Sequence, residues 1–316
     1  MRVLITGGLG YVGERLAQAV TAETDYEVVI STRNINNLYE PEHKAEVVKI
    51  DWDSIACIES ICSGMDVIIH AAGVNALDCI DDPVNALEFN GVTTAKLITS
   101  AVKTGVKKFV YLSTAHVYGN PLIGQINEQS CINSTHPYAT SHRAGEDTVR
   151  LFHEQKRIEG VVLRLSNACG PPVSKDTNCW TLIINDLCKQ AVLKKELVLN
   201  TSGKQYCNFI PMTDVNNVIL HFINMSSSLL GNGVFNIGGV KSLRVIEVAN
   251  IIKERCASLL GFSPKIKFPS AAPIQNEEYL DYQVSKLLST GYSHIGEIKE
   301  EIDQTLLFCH SAFGNS

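Results

Sequence analysis

Three glycines spaced three apart, Gly7, Gly10 and Gly13, separate an apolar run (Val3, Leu4, Ile5) from an amphipathic stretch opened by Tyr11 and Val12. The pattern predicts a strand, a tight turn and the start of a helix. Gly7 can adopt backbone angles closed to other residues. Gly10 lets the backbone come close to a ligand, and Gly13 lets the helix lie close to the strand. The N-terminus of a helix offers unpaired N–H groups and a partial positive charge, so this turn suits a pyrophosphate. The spacing G-x-x-G-x-x-G differs from the common G-x-G-x-x-G dinucleotide fingerprint, but its place between strand and helix is the same.

The ends of the next strands carry the residues that would complete such a site. The second strand ends Ile30-Ser31-Thr32-Arg33-Asn34, with no carboxylate to accept hydrogen bonds from the ribose hydroxyls of NAD. Arg33 can pair with a 2′-phosphate, with Ser31 or Thr32 as hydroxyl donors, so the sequence favours NADP(H) over NAD(H). The third strand ends Lys49-Ile50-Asp51-Trp52-Asp53, where Asp51, beside Trp52, can reach an adenine amino group. The fourth ends His70-Ala71-Ala72-Gly73, and the small residues Ala71, Ala72 and Gly73 leave room for backbone beside a cofactor.

The elements that must position these residues alternate. Strand-like runs fall at Val3–Thr6, Glu27–Ser31, Val47–Ile50, Asp66–His70, Lys108–Leu112 and Gly160–Leu165. Helical patterns fall at Val12–Val20, Ser54–Ile61, Val84–Lys103 and Tyr138–Gln155. Strands alternating with helices imply βαβ units and an α/β, doubly wound parallel sheet, and near-continuous apolar strands imply helices on both faces. Beyond the breaker Gly170-Pro171-Pro172 the rhythm weakens. We therefore expect a dinucleotide-binding domain over residues 1–168 and a smaller, mainly substrate-binding α/β part over 169–316, some of whose segments return to the first. Ala95, Ile98, Ala101 and Val102 make an apolar stripe at helical spacing. It suits either a homodimer interface or packing inside the monomer.

Composition sets limits on function. The chain has 316 residues, 45% hydrophobic and 19% charged, as in a soluble globular protein. A net charge of −6 argues against a nucleic-acid partner, which would call for a basic patch. No apolar run is long enough to cross a bilayer, which takes about 20 residues, so no membrane partner is expected. Met1-Arg2-Val3 runs directly into a strand, leading us to expect no signal peptide and a cytoplasmic protein. Ten scattered cysteines form no C-x-x-C pair, which suggests reduced buried thiols and no metal site.

Eight segments in order resemble the extended short-chain dehydrogenase/reductase superfamily, most closely its NAD(P)-dependent nucleotide-sugar epimerase, dehydratase and reductase branch. Thr6–Gly13 fits T-G-x-x-G-x-x-G, His70–Gly73 fits H-x-A-x, and Asn90-Gly91-Val92-Thr93-Thr94 resembles N-V-x-G-T. Phe109–Gly119 resembles F-V-x-x-S-[ST]-x-x-V-Y-G, and Pro137-Tyr138-Ala139-Thr140-Ser141-His142 stands where the family has P-Y-x-x-S-K. Leu163–Pro171 resembles L-R-x-x-N-x-x-G-P, Phe235–Gly239 resembles the Y-N-I-G strand, and Asp281 with Ser285-Lys286 resembles D-x-S-K. The resemblance implies a Rossmann-type fold, a nucleotide-sugar substrate and a homodimer. It also implies hydride transfer that reduces or epimerises a 4-keto nucleotide sugar, and it places Asn90 among the cofactor-binding residues.

It further implies roles for particular side chains. Tyr138 falls on the catalytic acid/base and Thr114 on the hydroxyl that shares its oxygen, with Ser113, Thr114 and His116 beside the substrate and Asn167 on its diphosphate. A tyrosine has a pKa near 10 and is a poor base at neutral pH without help. The family's helper is a Lys one helical turn on, which stabilises tyrosinate and holds the nicotinamide ribose. That position is His142 here, on the same helix face but shorter and with a reference pKa near 6.5. His142 would hold the ribose in a reductase whose Tyr works as an acid, serve a slow or restricted enzyme, or mark a binding protein that has lost catalysis. Thr114-Ala115-His116 stands where the 4,6-dehydratases carry Thr-Asp-Glu, so both carboxylates of that dehydration are absent. Cys207 replaces the Arg that clamps a diphosphate, with Lys204 three residues earlier as a possible substitute charge.

Overall fold

A seven-stranded sheet carries the N-terminal half of the chain. The computed structural model describes residues 1–34, 44–269 and 278–314. The strands are β1 (Arg2–Thr6), β2 (Glu27–Thr32), β3 (Glu46–Lys49), β4 (Val67–His70), β5 (Lys108–Thr114), β6 (Glu159–Leu165) and β7 (Val234–Ile237). Their order across the sheet is β7-β6-β5-β4-β1-β2-β3, and β1 to β6 run parallel. The sheet is apolar because it is covered on both faces: Val3, Leu4 and Ile5 of β1 and Ile68 and Ile69 of β4 are fully buried. Strand order reverses at β1, which pairs β2 on one side and β4 on the other, bringing Thr6 level with both Ser31 and His70. A crevice at the carboxyl ends of the strands, at such a reversal, is where open α/β sheets bind ligands.

The chain divides into two compact units. The first comprises Met1–Pro121, Ser130–Leu165 and Asn216–Asn236; the second comprises Leu122–Gln129, Ser166–Val215 and Ile237–Ser316. Helices α1 (Tyr11–Glu23), α2 (Ile55–Cys62), α3 (Thr94–Lys103) and α4 (Pro137–Glu154) belong to the first unit. The helical pattern expected over Val84–Lys103 is interrupted. Pro83–Ala86 is a short α-helix, Leu87–Thr93 is a π-helix, and α3 follows. The π-turn is accompanied by a hydrogen bond from Thr93 Oγ1 to the carbonyl of Glu88, five residues back (3.2 Å). It brings Gly91 so close to α4 that a Cβ there would lie 3.2 Å from Ala144 Cβ. The apolar stripe is spent inside this unit. Ile98 and Ala101 are fully buried in a core with Leu97, Phe109 and Tyr111, and Val102 packs against it. Ile98 and Ala101 are thus used within the monomer, while Ala95 and Val102 are half-buried.

In the second unit, Asn167–Cys169, Tyr206–Pro211 and Ser242–Arg244 form a three-stranded sheet with Tyr206–Pro211 in the middle. Helices Ile183–Lys194, Val245–Leu260 and Ile298–Phe313 supply a second core that includes Cys169, Cys188, Cys256 and Cys309. Burial raises these thiols above their ordinary range and keeps them protonated. Among the described residues no His, Cys, Asp and Glu cluster could hold a metal, and no helix is long and apolar enough to cross a membrane.

One buried ion pair ties the sheet of the first unit to α4. Arg164 of β6 meets Glu146 of α4 through Nη2 at 2.7 Å and Nε at 3.0 and 3.2 Å, with the two residues 2% and 0% exposed. Ser113 of β5 donates its hydroxyl to the same carboxylate. Arg164 Nη1 donates to Tyr118 Oη (2.7 Å), which donates to Asn236 Oδ1 (2.7 Å). Breaking such a pair from one side strands a charge in the core. Glu146→Ala is therefore expected to cost about 3–5 kcal/mol in denaturant unfolding, with Arg164→Met less harmful in the Glu146→Leu background than alone.

Candidate active site

The glycine turn forms as its spacing requires. Gly7 sits at φ +70°, and a Cβ on it would stand 2.7 Å from the Ala72 nitrogen. A Cβ on Gly13 would run into the Gly7 carbonyl oxygen, so α1 can approach β1 only with glycine there. Gly10 N–H donates to Gly7 O (2.8 Å), and Gly10, which has no side chain to offer, is the N-cap of α1. Tyr11 and Val12 are the first two residues of α1.

A cavity of about 250 Å³ lies on this turn, lined by Gly7, Gly10, Thr32, Arg33, Trp52, Ala71, Ala72 and Gly73, among others. A second, about 730 Å³, adjoins it through shared Arg33, Ile50, Trp52 and Phe89 and is also lined by Asp51. The structure thus gathers Gly7, Gly10, Thr32, Arg33, Asp51, Trp52 and residues 71–73 at one end of the sheet. A helix N-terminus, small residues along the groove and Arg33 at its rim form a cradle that fits a dinucleotide. Beneath it His70 is fully buried. Thr94 gives its hydroxyl proton to Asn90 O (2.7 Å), so His70 Nε2 must donate to Thr94 (3.0 Å) and Nδ1 accept from Thr6 (2.6 Å). Burial drives this imidazole down to about 3, so it is neutral.

Asn90 is buried in the π-turn, and its side chain braces the protein. Oδ1 accepts from Val74 N–H (2.9 Å) and Nδ2 donates to Ser141 Oγ (3.0 Å). It joins the loop after β4 to α4, and a Cβ on Gly73 would lie 3.4 Å from its Oδ1 and 3.6 Å from His142 Nε2. Asn90 thus reaches the groove through Gly73 and Val74.

Tyr138 is the second residue of α4, after Pro137, and its amide is capped by His136 Nδ1 (3.1 Å). Its ring lies 4.4 Å from that of His142. Burial pushes the phenol above its ordinary value, and a hydrogen bond with Thr114 partly offsets this, so Thr114 and Tyr138 come together as the motifs imply. His142 Nδ1 lies 2.9 Å from the Tyr138 carbonyl. A carbonyl only accepts, so Nδ1 carries the proton and Nε2, beside Gly73, holds a lone pair. Burial, outweighing that hydrogen bond, lowers the imidazole to about 4, and nearby His116 lowers it further. His142 is thus a neutral acceptor on the groove, and no cation stands where the family keeps its Lys.

The remaining candidates fall elsewhere. Ser113 is 4% exposed with its hydroxyl committed to Glu146, so the structure places it in the core network and not with Thr114 and Tyr138. His116 stands two residues after Thr114, whose Oγ1 accepts its amide (3.2 Å); burial lowers its imidazole, a hydrogen bond to the Gly119 backbone opposes this, and His136 lowers it further. In the second unit, Asn167 donates its amide to Asn208 O (2.9 Å), and Lys204 is exposed. Three residues of the site were not singled out from sequence: Phe89, Ser141 and His136. Ser141 carried a signal as the Ser of P-Y-x-x-S-K, and His136 as a side-chain acceptor just before a helix-opening proline; Phe89 carried none.

The unfolded state protonates a histidine near pH 6.5, but folded His142 stays neutral until about pH 4. Stability is therefore full above pH 6.5 and falls as pH drops towards 4, by on the order of 3 kcal/mol from this residue. ¹⁵N NMR of His142 should show an Nδ1–H neutral ring at pH 6, and a half-protonated ring there would contradict the geometry.

Comparison with known proteins identifies the family. Residues 3–238 match the family described as the NAD dependent epimerase/dehydratase family. A Methanocaldococcus jannaschii protein assigned provisionally as a UDP-glucose 4-epimerase is 28% identical over 312 residues, covering 96% of this chain and 97% of its own. Two solved structures share the fold. The UDP-N-acetylglucosamine 4-epimerase of Methanobrevibacter ruminantium, in complex with UDP-N-acetylmuramic acid, has a TM-score of 0.82 at 24% identity and 98% coverage of both chains. The UDP-glucuronic acid 4-epimerase of Bacillus cereus, in complex with NAD, has a TM-score of 0.80 at 20% identity, covering 100% of this chain and 99% of its own. With a Rossmann sheet, a glycine turn built for a dinucleotide and a family match over most of its length, the chain belongs to the NAD dependent epimerase/dehydratase family.

Proposed function

We propose that this protein is a nucleotide-sugar oxidoreductase that uses NADP(H), in which Tyr138 acts as a proton donor in the reduction of a 4-keto nucleotide sugar. The observation that carries the reading is the 2.9 Å bond from His142 Nδ1 to the Tyr138 carbonyl. It holds a neutral ring where a cation would be needed to make tyrosinate. Burial raises the Tyr138 phenol above its ordinary value and disfavours tyrosinate, so the side chain is an acid and a weak base. Reduction of a ketone needs an acid at the oxygen. Epimerisation through a transient ketone needs the same group to take a proton first, so it is the less favoured reaction.

The chain's own residues divide the work. Tyr138 gives its proton to the carbonyl oxygen as that oxygen becomes an alkoxide, and the Thr114 hydroxyl donates to the same oxygen. His142 Nε2 accepts a hydroxyl of the nicotinamide ribose and fixes the ring beside the sugar. Gly7, Gly10, Tyr11, Val12 and Gly13 receive the pyrophosphate, Ala71, Ala72 and Gly73 flank it, and Arg33 with Thr32 takes the 2′-phosphate. Asp51 and Trp52 border the adenine, and Asn90 holds the groove wall. His116, Asn167 and Lys204 keep the substrate roles that the family resemblance implies for them. When bound, the dinucleotide supplies the hydride.

The missing cation also supports a second reading, a dinucleotide-binding relative that no longer turns over. A panel of UDP- and dTDP-4-keto-6-deoxyglucose with NADPH or NADH, followed at 340 nm, tests the first. Oxidation of NADPH faster than NADH is expected, and a protein that binds NADPH but reduces neither sugar supports the second. His142→Lys separates them further. In a working reductase it should lower kcat by about tenfold or more, while a rise of that size from a near-zero rate marks an eroded enzyme.

A further inference from the structure

We infer that Phe89 is a positioning residue for cofactor selection, holding the Arg33 guanidinium over the dinucleotide groove as a ready receptor for the 2′-phosphate. The inference rests on the NADP(H) reading and adds the residue through which Arg33 acts. Arg33 is exposed at the end of β2, and an unsupported arginine there would sample many rotamers. Its Cζ instead lies 5.3 Å from the centroid of the Phe89 ring, within the range of a cation–π contact. Phe89 is held in turn: it sits in the π-turn, and its ring meets Trp52 edge-on at 5.8 Å and 82°. Trp52 is 8% exposed and packed in the core, so the chain of contacts runs from the fixed interior to the guanidinium.

The charges around the two cavities indicate which side the guanidinium serves. The larger is lined by Lys49, Lys96 and Arg33, but also by Asp51, Asp53 and Glu88, which offset them. The smaller, on the glycine turn, has Arg33 as the one charged residue among its described lining residues. Among the described residues Arg33 makes no ion pair, so its forked donors are not already spent on a carboxylate. A guanidinium fixed by an aromatic face and unpaired at its edge can bind a phosphate dianion through two parallel N–H bonds.

Direct titration with NADPH and NADH, and with the fragments 2′,5′-ADP and 5′-AMP, tests this without any sugar substrate. Arg33→Ala is expected to weaken NADPH about 10- to 100-fold and NADH less than about threefold. Phe89→Leu should weaken NADPH and 2′,5′-ADP about five- to tenfold, leave NADH and 5′-AMP within about twofold, and add nothing in the Arg33→Ala background. Phe89→Tyr, which keeps the ring, should bind as the wild type does and controls for folding. If Phe89→Leu weakens both dinucleotides alike, or adds its full effect to Arg33→Ala, Phe89 only packs the groove wall and the inference fails. A wild-type preference for NADPH that depends on Arg33 but survives Phe89→Leu overturns the inference alone. A wild type that does not prefer NADPH overturns both it and the cofactor reading.

Discussion

The bond between His142 Nδ1 and the Tyr138 carbonyl fixes the proton on the imidazole and with it the charge beside Tyr138. It is a consequence of side-chain length. A lysine four residues after the tyrosine extends beyond its own helix and leaves the carbonyl alone. An imidazole is short enough to fold back on that carbonyl, which also accepts from Ser141 Oγ at 3.1 Å. Once Nδ1 is so engaged, the proton's position, the ring's neutrality and the lone pair at Nε2 all follow. Burial reinforces this, because a charged imidazole there would lose its hydration without a carboxylate to replace it.

The precision of the Thr114 and Tyr138 pair depends on a frame behind them. Strand β5 and helix α4 are joined at two successive strand residues: Ser113 bonds Glu146, and Thr114 meets Tyr138. Glu146 lies two helical turns beyond Tyr138 and one beyond His142, so all three share the buried face of α4. Arg164 then fixes Glu146 to β6, and Tyr118 fixes Arg164 to Asn236. A buried ion pair is costly to desolvate and is weak evidence for net stability. Here it has a geometric result, since strand and helix cannot slide past one another without breaking several charge-assisted bonds.

Much of this was legible in the sequence, and the rest was not, for physical reasons. The six predicted strands all form; the inner ones, buried on both faces, are written as continuous apolar runs, and the edge strand β3 is only half-buried. The glycine turn was legible because close backbone approach at Gly7 and Gly13 excludes other residues. The π-turn was not, since an apolar pattern over Val84–Lys103 fits a continuous helix equally well and the insertion depends on how Gly91 meets Ala144. The stripe from Ala95 to Val102 reads the same whether it meets the core or a second chain. Ser113 belongs to a motif that suggests substrate contact, yet it shares the strand face of Tyr111, which packs against α4.

In the proposed reading, dinucleotide binding and catalysis, which a Tyr–Lys pair would join, become separable in this chain. A lysine serves both the ribose and the ionisation of the tyrosine, so its loss would be expected to damage both. In the proposed reading, His142 keeps the ribose contact with its donor and acceptor roles reversed: the ribose hydroxyl donates to Nε2 where an ammonium would have donated to the hydroxyl. The positive charge is then found not beside the phenol but at Arg33, on the rim of the groove. A site charged at the phosphate end and neutral at the reacting end holds its cofactor by electrostatics and leaves the tyrosine protonated. On that reading the arrangement suits an oxygen that gains a proton and opposes one that must lose it, and His142 would set a direction for the chemistry without dismantling the site.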